Sequence, residues 1–138
     1  MKTNSDITIY NKYIVAATRT EAYQRTQVQD VAWESRKAAN VLATGGNLAA
    51  DAARIFIPFA RDEDYLDPKA WQALSTKTGK WTLQVGDIIV KGLISTEISG
   101  ATTITTLKNT YDNVLIITSV DTMDMGSESM QHWQVGAR

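Results

Sequence analysis

The stretch WTLQVGDIIVKGLIS, residues 81–95, carries the reading of the fold. Trp81, Leu83 and Val85 alternate with Thr82 and Gln84, the period of a strand with one buried face. Gly86–Asp87 supplies a tight turn, and IIVKGLI is then apolar at successive positions. A run apolar on both faces suits a strand covered on both sides. The spacing therefore predicts a β-hairpin, with Trp81 and Leu83 in the core and the second strand central. Gly92 inside that run predicts a bend of the kind a closing barrel needs.

On the N-terminal side, DITIYNKYIVA is rich in Ile, Tyr and Val and reads as an opening strand or arm. In EAYQRTQVQDVAWES, Tyr23, Val31 and Trp33 share one parity and Val28 the other. One long strand with a bulge near Gln29–Asp30 accounts for the change. RIFIPF is another strand, with Ile55, Ile57 and Phe59 on one side; Pro58 places it at an edge or ends it. Between these strands, Ala38–Ala53 is Ala-rich, has few large side chains and contains Gly45–Gly46. Glycine pairs interrupt helices, so a long mobile loop is expected there.

Asp67 and Pro68 suit the start of a helix, with Trp71 and Leu74 on one face and Gly79 beyond its end. On the C-terminal side, Ile104, Leu107 and Tyr111 have helical spacing after a threonine cap, and VLIITSVDTM reads as a buried strand. Trp133 and Val135 share a face of the last strand. Strands outnumber helices and no strand–helix–strand repeat calls for a parallel sheet. The expected fold is a single mainly β domain over residues 1–138: a small, mostly antiparallel β-barrel with two short helices and a long loop.

Composition narrows the function classes. The 138 residues are enough for one core, and the net charge of −1 does not suggest whole-chain attraction to nucleic acid or an anionic membrane. The absence of cysteine removes disulfides, thiolate metal sites and thiol catalysis. The N-terminus lacks an apolar signal-peptide core and no apolar run approaches a membrane span, so a soluble intracellular product, or one released by lysis, is expected.

Candidate chemistry is sparse. His132 is the one histidine, and a Ser-His-Asp arrangement would have to use it with Asp121 or Asp124; no nucleophile-elbow sequence accompanies it. Asp121, Asp124, Glu128 and His132 match no calcium- or zinc-binding spacing, and a solvated turn explains them more simply. Asp62, Glu63, Asp64 and Asp67 form an acidic run ahead of a helix, where the helix dipole favours it. ATGGN has neither the lysine of a phosphate-binding loop nor dinucleotide-site glycine spacing. Tyr10, Tyr13, Tyr23 and Trp33 interleave with Lys12, Arg19, Arg25, Arg36 and Lys37, which allows a single-stranded nucleic-acid platform as an alternative. Met123, Met125 and Met130 flank GSES and suit either an adaptable contact or a core. Neither cofactor nor metal nor small-molecule substrate is expected, and no enzymatic activity.

Three stretches carry a resemblance: DITIYNKYIVAATRTEAYQRTQVQDVAWE, TGKWTLQVGDIIVKG and VDTMDMGSESMQHWQVG. In this order, with LKNTYDNV between the last two, they resemble the small minor capsid proteins of tailed-bacteriophage head-and-neck gene clusters. Among these they are most similar to head-closure (stopper) connectors. The resemblance implies a virion protein of the neck, assembled in the host cytoplasm as a homo-oligomeric ring. Portal or adaptor would lie on one side and tail-completion or tail proteins on the other, with packaged DNA near the channel. It implies no catalytic residues. By position it maps the channel loop to Ala38–Ala53, with Thr44, Gly45, Gly46, Asn47 and Leu48 as candidate assembly residues. Tyr10, Tyr13, His132 and Arg138 are candidate subunit contacts. Other structural phage roles (adaptor, tail completion, minor capsid protein) remain open at this point, with a hydrolase last.

Overall fold

The computed structural model describes residues 2–35, 39–41, 47–49, 53–61, 63–98 and 103–138. Its first strands are β1 (Ser5–Val15) and β2 (Thr20–Ser35), joined by a turn in which Arg19 adopts φ 54°. They pair along nearly their whole length, and the expected bulge is present. Ser5 stands opposite Val31 but Ile7 opposite Val28, so β2 holds one residue more than β1 over this interval. Asp30 takes up the difference at φ 59°, and its N–H donates to Asp6 Oδ1 at 3.0 Å. The bulge explains the parity change: it lets Val28 and Val31 face the same interior.

Two short strands follow, β3 (Ala39–Val41) and β4 (Asn47–Ala49), and then β5 (Ala53–Pro58), β6 (Ile88–Lys91), β7 (Val114–Met123) and β8 (His132–Ala137). Six of these close a barrel in the order β1-β2-β5-β8-β7-β6, with every neighbouring pair antiparallel. Ile7, Ile9, Val28, Val31, Ile55, Ile57, Ile89, Ile117 and Val135 fill the interior. Strand β5 ends at Pro58, as its missing N–H requires, but lies between β2 and β8 rather than at an edge.

The 81–95 stretch departs from the expected hairpin. Its second half is a central strand, β6, flanked by β1 and β7. Ile89 points into the barrel, whereas Ile88 and Val90 join an outer cluster with Tyr10, Ile94, Leu107 and Val114. Helix α2 (Ile104–Thr110), capped by Thr103, covers that outer cluster with Leu107, which is why β6 is apolar on both faces. Gly92 closes the strand at φ 102°. The first half is not a strand. Trp81 makes an isolated parallel bridge to Tyr65, and Thr82–Gln84 run as an irregular segment. Trp81 and Leu83 are buried as expected, but Val85 is 66% exposed. Alternation ends at Gln84 because the chain turns there to enter β6, bringing the Asp87 N–H to the Gln84 carbonyl at 3.2 Å.

Helix α1 (Pro68–Gln72) has Pro68 at its first turn and buries Trp71 completely. Phe59, Tyr65, Trp81 and Trp133 form a chain of ring contacts beside it, from 4.3 Å between Tyr65 and Trp133 to 5.9 Å between Trp81 and Trp133. Offset and edge contacts of this kind stabilise beyond the area they bury.

The expected long loop is also different where it is described. Ala39 pairs with Ala49, Asn40 with Leu48 and Val41 with Asn47, so β3 and β4 form an antiparallel hairpin with a sheet of its own. Thr44, Gly45 and Gly46 lie outside the described residues, as does the mobility expected of them.

Candidate assembly surface

The inserted hairpin is placed by its two flanks. Ser35, the last residue of β2, stands opposite Ala53, the first of β5. These strands are barrel neighbours, so the seventeen positions between Ser35 and Ala53 leave from and return to one point on the rim. A barrel closes without such an excursion; a short connection would join these two strands equally well. Asn47 and Leu48, two of the sequence-derived candidates, stand in β4 of this hairpin.

The other candidates scatter. Tyr10 is fully buried in the outer cluster and its hydroxyl donates to the Thr96 carbonyl at 2.6 Å. It therefore offers no surface to a neighbouring subunit, because its aromatic face is spent on packing under α2. Burial pushes its phenol up to about 12. Tyr13 is half-buried, edge-on to Trp71 at 5.9 Å with Lys77 Nζ 4.9 Å from its ring centre. His132 opens β8, half-buried, with its Nδ1 2.8 Å from the Met130 carbonyl and its ring edge-on to Phe56 at 5.4 Å. Arg138 is exposed at the end of β8, its backbone paired both ways with Ile116 at 3.0 Å.

The other chemical candidates are not assembled. Among the described residues no three His, Cys, Asp or Glu side chains come together as metal ligands. Among the described residues, the aromatic and basic side chains of the N-terminal strands do not form an open platform; Arg36 and Lys37 lie outside them. Tyr10 and Trp33 are buried, Lys12 pairs with Glu21 at 2.8 Å and Arg25 with Glu97 at 2.7 Å. A groove of about 320 Å³ runs between Gln27, Gln29, Arg61, Glu63 and Trp81. Two of its lining residues are held in ion pairs, Arg61 with Asp30 at 3.5 Å and Asp64 with Lys80 at 2.8 Å, ordinary surface contacts that contribute little individually. Among the described residues no helix is long and apolar enough to cross a membrane.

One buried polar cluster was missed in the sequence. Asn11 is fully buried at the barrel mouth; its Nδ2 donates to the Thr82 carbonyl and to Asp87 Oδ2, both at 2.8 Å, and its Oδ1 accepts from Thr82 N–H at 3.1 Å. Asp87 also accepts from Gln84 Nε2 at 2.8 Å and from the Lys12 N–H at 3.1 Å. Burial raises the Asp87 carboxyl above its usual range, against the opposing pull of these hydrogen bonds. The cluster substitutes for strand pairing. β6 begins only at Ile88, opposite Tyr10, so the β1 backbone at Lys12 meets side chains instead: Asp87 takes its N–H, while the amides of Gln72 and Gln84 reach its carbonyl at 3.0 and 3.4 Å. The available signal was an asparagine, Asn11, on the same parity as Ile7 and Ile9 in ITIYNKYIV.

Strand β7 likewise outruns β6. It pairs with β6 only over Val114–Ile116, and Gly86 and Asp87 satisfy Ile117 at 2.8 Å on each side. Beyond Ile117 it has β8 on one side and, among the described residues, no strand on the other. Met123, Met125 and Met130 stand exposed at the tip of this ribbon, Met125 at 85%.

Comparison with known proteins adds one firm result. The chain belongs to DUF6751, a family of unknown function, which it matches over residues 2–138. No curated protein and no solved structure matches it.

Proposed function

We propose that this chain is a structural protein of the tailed-phage neck, a head-closure connector that forms a ring between portal or adaptor and tail. The observation that carries the reading is the hairpin inserted between the paired ends of β2 and β5. A ring that closes a channel needs a rigid body and a projection that can leave it without disturbing it, and this insertion has that form. Its residues from Asn40 to Ala50 include no charged side chain, so symmetry copies can approach one another, and DNA, without like-charge repulsion or strong attraction. The resemblance of the three sequence stretches to head-closure proteins supports the same reading.

The test is a deletion of residues 44–46, which shortens the connection between β3 and β4 but keeps both strands and the Ser35–Ala53 pairing of the barrel. Particles assembled with this variant should contain the ring but lose packaged DNA before tails attach, read as nuclease-sensitive genome. Full, protected genomes in tailless particles would refute closure by this hairpin, and absence of the chain from the neck would refute the position itself.

A further inference from the structure

The open edge of β7 is defined by its backbone. Arg138 both donates to and accepts from Ile116, and the Phe59 N–H takes the Gln131 carbonyl at 3.1 Å. Even-numbered residues of β8 therefore turn their backbone groups to β7 and odd-numbered ones to β5. Gly136, Gln134 and His132 stand opposite Ser119, Asp121 and Met123 after the register shift at Ile117–Ser119. The N–H and C=O groups of Val120 and Thr122 then point the other way, where the described residues supply no partner. An exposed strand edge of this kind templates the addition of another strand.

The charges along it exclude pairing with itself. Residues 118–131 carry Asp121, Asp124 and Glu128 and no Lys or Arg, so two such edges brought together across a two-fold axis would repel. The chain has a complementary element. Among the described residues hairpin β3–β4 is a two-stranded sheet with no strand on either outer edge, and a lone hairpin is at best marginally stable in water. Its flanking sequence carries Arg36, Lys37 and Arg54 against two acids, Glu34 and Asp51. In the structure the hairpin stands as its own sheet and does not occupy the β7 edge of its own chain.

We propose that the β3–β4 hairpin of one copy adds to the Val120–Thr122 edge of the next. The contact is heterologous: hairpin on one copy, edge on its neighbour, so each copy keeps one of each to offer onward. Repeated around a closed rotation it builds a ring. Main-chain hydrogen bonds would give the register, the acidic ribbon would select the basic-flanked hairpin, and the exposed methionines of the ribbon tip would adapt to what lies over them. This rests on the ring reading above, and specifies which two surfaces make the ring.

The absence of native cysteine makes the test clean. Single-cysteine chains Thr122→Cys, Asn40→Cys and Leu48→Cys are mixed pairwise and treated with a short bis-maleimide. Covalent dimers are expected from Thr122→Cys with either hairpin variant, with loss of the product at high salt and on adding Asp121→Lys and Asp124→Lys to the edge partner. Exposed Lys69→Cys on α1 serves as the collision control. Yields no higher than the control, or a product from Thr122→Cys alone, would overturn the proposal. The two readings fail separately: a chain found in the neck whose copies give no hairpin–edge product keeps the ring and loses this contact. A hairpin–edge product from a chain that particles lack keeps the contact and loses the neck.

Discussion

Replacing Leu83 by alanine tests the placement of the irregular segment before β6. Leu83 is 2% exposed and packs in the barrel interior, whereas Val85, two residues on, is 66% exposed. Alternation in the sequence treats these two positions alike; the structure does not. Leu→Ala removes three carbons from the interior, about 2.4 kcal/mol at roughly 0.8 kcal/mol per buried methylene. The segment cannot collapse to fill the space. Thr82 is tied to Asn11 through both its N–H and its carbonyl, at 3.1 and 2.8 Å, and the Gly86 N–H is held by the Ile117 carbonyl at 2.8 Å. A residual cavity of about 50 Å³ adds about 1.2 kcal/mol at ~24 cal/mol per Å³. Leu83→Ala should therefore destabilise by about 3.5 kcal/mol, a large share of an ordinary domain's stability, whereas Val85→Ala should stay within about 0.5 kcal/mol of the parent. Urea denaturation of both variants, fitted with a common m-value, measures the difference. Equal losses at the two positions, or a Leu83→Ala loss under about 1 kcal/mol, would refute the packing described for this segment.

Three further outcomes follow from the buried polar groups and the bend. The folded state holds the Asp87 carboxyl above its usual range, so this group's contribution is fully present below the ordinary aspartate range and is lost as pH rises through the raised value. In urea titrations the stability gap between the parent and Asp87→Asn should widen on acidification through that window; a gap that narrows there contradicts the burial of Asp87. Tyr10, pushed up to about 12 by burial, should give a late step in a spectrophotometric titration, with stability falling as pH rises from about 10 towards 12. Tyr10→Phe should remove one phenol from the late step, to which Tyr65, also raised by burial, contributes, and should destabilise by about 1–2 kcal/mol through the unpaired Thr96 carbonyl; an unchanged late amplitude in that variant would assign it elsewhere. Gly92→Ala places a side chain at φ 102° where no neighbour obstructs it, so any loss, expected near 1–2 kcal/mol by thermal denaturation, comes from backbone strain alone; an unchanged melting temperature would show that the bend relaxes.

The sequence by itself determined the parts of this protein that depend on near neighbours along the chain. The bulge in β2 was written in the parity change between Val28 and Val31, and Asp30 at φ 59° realises it. The two-sided apolar character of residues 88–94 placed β6 at the centre of a sheet, since only a strand covered on both faces gains from burying both. Pro68 and the Ile104–Leu107–Tyr111 spacing located both helices. What only the tertiary structure decided concerns partners far apart in sequence. Trp81–Gln84 has strand alternation but no strand beside it, because Asn11 and Asp87 hold the barrel mouth by side chains, and a side-chain hydrogen bond leaves no periodic trace. Tyr10 carries the same residue type as a surface contact, yet α2 folds over it; which face of β1 would be covered was set more than ninety positions away. The hairpin at β3–β4 was hidden because its strands, ANV and NLA, are too short to show an alternating pattern. The open edge of β7 exists because β6 is four residues long and β7 is ten, a mismatch visible only once the two strands lie side by side.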